Sequence, residues 1–171
     1  MTVGTIFVVD ASSWICLYEE RYAPDLFPAM WTELLRLAEA GQIKVPREAI
    51  GEVGNKDSAG AWLRAIKPSV VPTATPGVVG ELQRIASTYP GLATDYIKNA
   101  DAWLVAFGKH HGWTVVTEEG WSHNHARPKI NDVCAAEDVT CINCTEMLRQ
   151  LGVRWGAPLP RPPPKPNRSK R

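Results

Sequence analysis

An α/β fold, a three-layer sandwich around a mostly parallel central sheet, is what this sequence predicts, and three observations predict it. Short runs rich in β-branched residues, at 6–9, 43–45, 113–117 and 139–143, alternate with segments of helical periodicity. Tight hairpin signals are absent between them, so helical crossovers are expected to link the strands and make them parallel, with helices on both faces. The chain of 171 residues is long enough for one domain to bury a core without disulfides.

The first run, Ile6-Phe7-Val8-Val9, reads as a buried strand ending at Asp10, and Asp10-Ala11-Ser12-Ser13 offers helix-capping side chains. Apolar positions 27, 30, 31, 34, 35 and 38 then recur at helical spacing, with Pro28 acceptable in the first turn and Gly41 as the stop, which predicts a helix over 28–40. A second strand follows at 43–45. Pro46 opens a helical segment that puts Glu48 and Glu52 on one face, and Asp57 is expected to cap another helix reaching Ile66.

Residues 69–71 read as a weak strand before the breakers Pro72, Pro76 and Gly77. Val78, Val79, Leu82, Ile85, Ala86 and Tyr89 mark a further amphipathic helix, ended by Pro90-Gly91. Asn99 is a good N-cap for a helix bearing Ala100, Trp103, Leu104, Ala106 and Phe107 on its apolar face, closed by Gly112. After the strand at 113–117 comes a polar, irregular stretch over 118–132. The last strand, 139–143, leads into a helix over 145–151 that stops at Gly152.

In an open parallel sheet, the carboxyl ends of the strands and the N-termini of neighbouring helices share one edge, where ligands bind. Asp10 ends the first strand, Asp101 sits in the first turn after Asn99, and Glu118 and Glu119 follow the strand ending at Thr117. Glu52, with Glu48 as the alternative, would lean over the same edge. A single Asp in such a place is usually a cap or a dipole partner. Joint placement on one edge is not required by capping, and carboxylates packed together need a cation to neutralise them. Hard oxygen ligands without an organised Cys/His set select Mg²⁺ or Mn²⁺.

These residues resemble the PIN domain, a nuclease fold common among bacterial toxins of the VapC type. The resemblance is carried, in order, by Val8-Val9-Asp10-Ala11-Ser12-Ser13, by Val45-Pro46-Arg47-Glu48-Ala49-Ile50-Gly51-Glu52-Val53, by Asn99-Ala100-Asp101-Ala102-Trp103-Leu104-Val105-Ala106 and by Val115-Val116-Thr117-Glu118-Glu119. Lys129-Ile130-Asn131-Asp132-Val133-Cys134 and Cys141-Ile142-Asn143-Cys144-Thr145-Glu146-Met147-Leu148 look like an uncharacterised PIN-like branch. The resemblance covers about residues 5–155 and implies a metal-dependent endoribonuclease. It implies that Asp10, Glu52, Asp101 and an acid after Thr117 hold Mg²⁺ or Mn²⁺, with Ser12 and Thr117 as polar helpers. Many relatives carry Asp two residues beyond that threonine, where this chain has Glu119, with Glu118 beside it. It also implies an RNA substrate and a small cognate antitoxin, and it admits a homodimer. The alternative is a catalytically inactive PIN-like module that binds RNA or protein. A phosphotransferase using Asp10 as nucleophile is disfavoured, because Ser12 stands two residues on in place of a second acid.

Charge and composition set the remaining expectations. Residues 1–156, read as the nuclease domain, hold fourteen basic and eighteen acidic side chains, net −4, whereas 157–171 hold five Lys or Arg and no acid. That second stretch is Pro-rich and reads as a flexible basic tail. Arg47, Lys98, Lys109, Arg127, Lys129 and the tail are candidate phosphate contacts. No signal peptide or membrane span is expected, which points to the cytoplasm. Cys141-x-x-Cys144 and Cys134 are read as structural thiols, and His123 and His125 as loop residues. Trp31, Trp103 and Trp113 are expected in the core; Trp121 and Trp14 are the two free to meet RNA.

Overall fold

The computed structural model describes residues 4–53, 58–92 and 98–154. Asp57 and the tail lie outside these residues. Strands β1 (Phe7–Val9), β2 (Ile43–Lys44), β3 (Thr114–Val116) and β4 (Cys141–Ile142) form one sheet, ordered β2-β1-β3-β4 and parallel throughout. Both β1 and β3 are fully buried, as their Val-rich sequences require of strands covered on both faces. The chain leaves β1 on one side to form β2 and returns on the other to form β3, so the strand order reverses beside β1. Register sets Val9 opposite Val116, and Asp10 and Thr117 therefore emerge side by side. The Asp10 N–H still donates to the Val116 carbonyl at 2.9 Å.

Eight α-helices among the described residues surround the sheet: α1 (Ala11–Ile15), α2 (Pro28–Glu39), α3 (Arg47–Glu52), α4 (Ser58–Val70), α5 (Pro76–Thr88), α6 (Ala100–His111), α7 (Ile130–Ala136) and α8 (Cys144–Gln150). A π-helical turn, Cys16–Arg21, extends α1. Local chemistry explains the boundaries. Thr75 accepts from the Val78 N–H and Pro76 opens α5, Asn99 caps α6, and Asn143 caps α8. Gly112, at φ 68°, takes the left-handed conformation that ends α6.

Two expected elements change. Residues 69 and 70 belong to α4, and 71 follows it without strand structure, because Pro68 lies within that helix instead of stopping it. The Val70 carbonyl nevertheless accepts from the Val45 N–H at 3.0 Å, just beyond β2. The irregular stretch after β3 ends earlier than position 132, because α7 begins at Ile130. Its start is secured by Asp132, whose carboxylate accepts the Lys129 N–H at 2.9 Å, the reach-back half of a capping box.

Helix α6 packs on β1 and β3 on one side and on α5 on another, so Ala100, Ala102, Leu104, Val105, Ala106, Phe107 and Gly108 are all buried. Trp14, Trp31 and Trp62 form an aromatic group within the same core, with Trp14–Trp62 ring centroids 5.2 Å apart. Trp14 is fully buried, which removes it from any contact with RNA. The π-helical turn carries the chain over this cluster and aims Arg21 back at the sheet edge. Glu137, also buried, is held by Arg84 (3.0 and 2.6 Å) and by the Tyr89 hydroxyl (3.0 Å), a network that joins α5 to the end of α7. No helix among the described residues is long and apolar enough to cross a membrane.

Gly108 marks the closest approach of α6 to the sheet. A Cβ there would lie 2.8 Å from Val139 Cγ1 and 2.9 Å from Val115 Cγ2. Gly108→Ala is therefore expected to destabilise the fold by about 1–2 kcal/mol, because overpacking outweighs the gain in helix propensity. A urea midpoint equal to or above that of the wild type would contradict this packing.

Candidate metal centre

The site is built where β1 and β3 end. Asp10 is the N-cap of α1: one carboxylate oxygen accepts the Ala11 N–H at 2.7 Å, and the other takes the Ser12 hydroxyl at 2.5 Å and the Thr117 hydroxyl at 3.1 Å. Asp10 is only 4% exposed, so these donors replace water around a carboxylate that could not be buried alone. Ser12 and Thr117 are linked in turn to the chain beyond β3, since the Glu118 N–H donates to Ser12 Oγ (3.2 Å) and the Glu119 N–H to Thr117 Oγ1 (3.2 Å).

Two helices bring further acids. Asp101 stands in the first turn of α6, its N–H capped by Asn99 at 2.8 Å. Glu52 ends α3, and its carboxylate accepts the Ala100 N–H at 2.9 Å, so α6 begins between Asn99 and Glu52. Carboxylate oxygens of Asp10, Glu52 and Asp101 all lie within 4.8 Å of one another. Such spacing would let one oxygen of each residue reach a single hard divalent cation. The donor set is all hard oxygen and fits such an ion.

Electrostatics bear on the same point. Burial, then the charges of Asp10, Glu119 and Glu52, push the Asp101 carboxyl up to about 7. Glu52 is also raised, by burial first and then by Asp10, Glu119 and Glu48, against the pull of the Ala100 N–H. Glu119 is raised by burial and by Asp10, while Lys129 and the Ile130 N–H oppose the shift. Burial leads in all three, and the charge of neighbouring carboxylates adds to it.

The structure separates the paired alternatives. Glu119 feels the charge of Asp10 and accepts the Ile130 N–H, and it stands outside the close trio. Glu118 points elsewhere, accepting the Cys144 N–H at 2.7 Å and pairing with Arg21 at 3.1 Å. Glu48 contributes only its charge toward Glu52 and lines a separate cavity with Arg47, Trp103 and Phe107. Among the basic candidates, Lys109 sits at the far end of α6, where it donates to the Glu137 carbonyl at 2.6 Å; phosphate contact at the centre is thereby ruled out for it. Lys129 lies close enough to act on Glu119.

Sequence reasoning missed the residues that brace the site. Arg21 and Cys144 anchor Glu118, and Asn131 reaches back from α7 to the Glu119 carbonyl. The two thiols of Cys141-x-x-Cys144 diverge: Cys141 donates to Asn131 Oδ1 at 3.0 Å, whereas Cys144 faces Cys16 and Glu118. A cation placed between Cys16, Glu118 and Cys144 would meet the Arg21 guanidinium, 3.4 Å from Cys144 Sγ. Burial raises both Cys16 and Cys144, as it does for structural thiols.

No curated protein matches the chain. Among solved structures, the crystal structure of PAE2754 from Pyrobaculum aerophilum aligns over 88% of this chain and 99% of that one, with a TM-score of 0.54 and 18% identity. Likeness at that identity concerns the fold. The sequence profile of a domain of unknown function, DUF4411, matches residues 7–155, a span that runs from β1 through α8, and the chain belongs to that family.

Proposed function

We propose that this protein is an Mg²⁺- or Mn²⁺-dependent endoribonuclease of the PIN type, the toxin of a toxin–antitoxin pair, acting in the cytoplasm and restrained by a cognate antitoxin. The observation that carries the reading is the convergence of Asp10, Glu52 and Asp101 from three separate elements, with Asp10 oriented by Ser12 and Thr117. In this proposal Asp10, Glu52 and Asp101 hold the cation and Glu119 supplies the fourth acid.

A divalent ion held there would lower the pKa of a bound water and stabilise charge on the phosphoryl oxygens. The chain's own part is positioning. Ser12 and Thr117 fix one oxygen of Asp10, leaving its orientation independent of substrate. Asp101, raised to about 7, would hold a proton near neutral pH and would release it to solvent if a cation were bound. Glu119, which feels the charge of Asp10, would supply the fourth acid to the cation or its water. Lys129, near Glu119, supplies positive charge for a strand phosphate.

Asp10→Asn and Asp101→Asn are each expected to lower Mg²⁺-dependent cleavage of single-stranded RNA by about a hundredfold or more, and to relieve growth arrest on expression. Wild-type cleavage by both variants would sink the proposal. Glu119→Gln is expected to slow cleavage by about tenfold or more, whereas Glu118→Gln stays within a few fold because that carboxylate is occupied by Arg21 and the Cys144 N–H. The reverse order would exchange their roles.

The Asp101 shift also sets a pH dependence. A carboxyl whose folded pKa is raised from 3.8 to about 7 stabilises the fold fully below about pH 4 and loses that contribution as pH climbs through 7. In the absence of metal, stability is expected to fall over this window, by a few kcal/mol at most, and Asp101→Asn should flatten the curve. Mn²⁺ binding should tighten over the same range and release about one proton, read by titration calorimetry in buffers of different ionisation enthalpy. Binding independent of pH between 6 and 8 would exclude Asp101 as the group displaced.

A further inference from the structure

Beyond Glu119 the chain forms a loop over 120–129 that is organised by its own polar contacts. The Asp132 carboxylate accepts from the backbone N–H groups of Ser122 (3.0 Å), His123 (3.2 Å) and Lys129 (2.9 Å). Ser122 Oγ donates to the Arg127 carbonyl at 2.9 Å, and Asn124 Oδ1 accepts from the Ala126 N–H at 3.0 Å. Gly91 braces the loop from outside, since a Cβ there would fall 2.0 Å from the Ala126 carbonyl oxygen. His123 is held at φ 54°, a conformation that costs a non-glycine residue on the order of 1 kcal/mol and persists only where its surroundings impose it.

This loop borders, with α5 and α7, an open cavity of about 590 Å³ walled in part by Trp121, His123, Asn124, His125, Tyr89 and Asp132. Trp121 is 55% exposed, although Trp14 and Trp31 are turned inward at 0% and 5%. Its ring stacks on His123 with centroids 5.8 Å apart and 8° between planes. Leaving an indole in water forfeits roughly 1.5–3 kcal/mol of burial, which favours a role outside the core. A flat aromatic pair beside hydrogen-bonding side chains is what an unpaired base uses: a π face to stack on and polar groups for its edge.

Placement ties the cavity to the acidic centre. Glu119 precedes Trp121 by two residues, so their Cα atoms are at most about 7 Å apart. Arg127 and Lys129 on the same loop are exposed and carry charge of the sign a phosphate requires, while the Asp132 carboxylate is occupied by three N–H donors. We propose that this cavity seats one unpaired base of single-stranded RNA, stacked on Trp121, in a strand that continues to the carboxylates. The inference rests on the ribonuclease reading above and names where its substrate is gripped.

The test is binding of a fluorescently labelled single-stranded RNA hexamer, measured by anisotropy with EDTA present to suppress metal-dependent cleavage. Trp121→Ala should weaken binding by roughly five-fold or more, Trp121→Phe should retain most of the affinity, and Mn²⁺ affinity should be the same in all three proteins. Trp121→Ala binding the hexamer as tightly as the wild type overturns the base site, and if that variant also cleaves RNA normally, the ribonuclease reading stands without it. Trp121-dependent binding by a protein that cleaves no RNA supports the cavity and defeats the ribonuclease reading instead. AMP bound as tightly as the hexamer would show a free-nucleotide site and overturn the strand assignment.

Discussion

Carboxylates held within a few ångströms of each other repel, and a fold that imposes such a cluster must either keep a proton among them or supply a cation. Here the cluster forms where β1 and β3 end together, and Asp10, Asp101 and Glu52 reach it from a strand end, a helix start and a helix end. Burial, and then the neighbouring acids, raise the Asp101 carboxyl accordingly. Capping does not demand an acid at position 101: Asn99 already caps α6, and the Ala100 N–H there is taken by Glu52.

The surrounding architecture is arranged to bear this load. Parallel register fixes Asp10 beside Thr117, and hydroxyls of Ser12 and Thr117 then occupy one oxygen of Asp10. Glu118 binds the loop after β3 to α8 and to the π-helical turn through Cys144 and Arg21, so Glu119 is presented toward the acids by a backbone anchored on its neighbour. Asn131 secures the Glu119 carbonyl from the other side. Adjacent glutamates thus divide the work, one structural and one electrostatic. The same anchored segment continues into the loop that carries Trp121, which gives the aromatic wall and the acidic centre a common support.

Much of this was legible in the residues before any coordinates. Strand ends and helix starts are announced by local chemistry, by Val8-Val9-Asp10, by the Asn99 cap and by Val115-Val116-Thr117, and in a parallel sheet such positions share one edge. Residues 69 and 70 are helical where a weak strand is expected, because α4 runs through Pro68 with tertiary support from buried Leu63, Ile66 and Val70. Trp14 misled because one turn of sequence after Asp10 does not reveal which face of α1 meets Trp31 and Trp62. The start of α7 went unread because its capping acid, Asp132, lies inside the helix it begins.

The sequence by itself determined the fold class, the edge on which Asp10, Asp101 and Glu119 gather, and the hard-oxygen character of any ion they could hold, because periodicity and capping are local properties. Tertiary structure brought Glu52, and not Glu48, to Asp10 and Asp101, tied Glu118 to Cys144 and Arg21, and separated Trp121 from Trp14. Those choices depend on helix rotation and on distant partners such as Arg21, Ala100 and Cys144, which no spacing along the chain encodes.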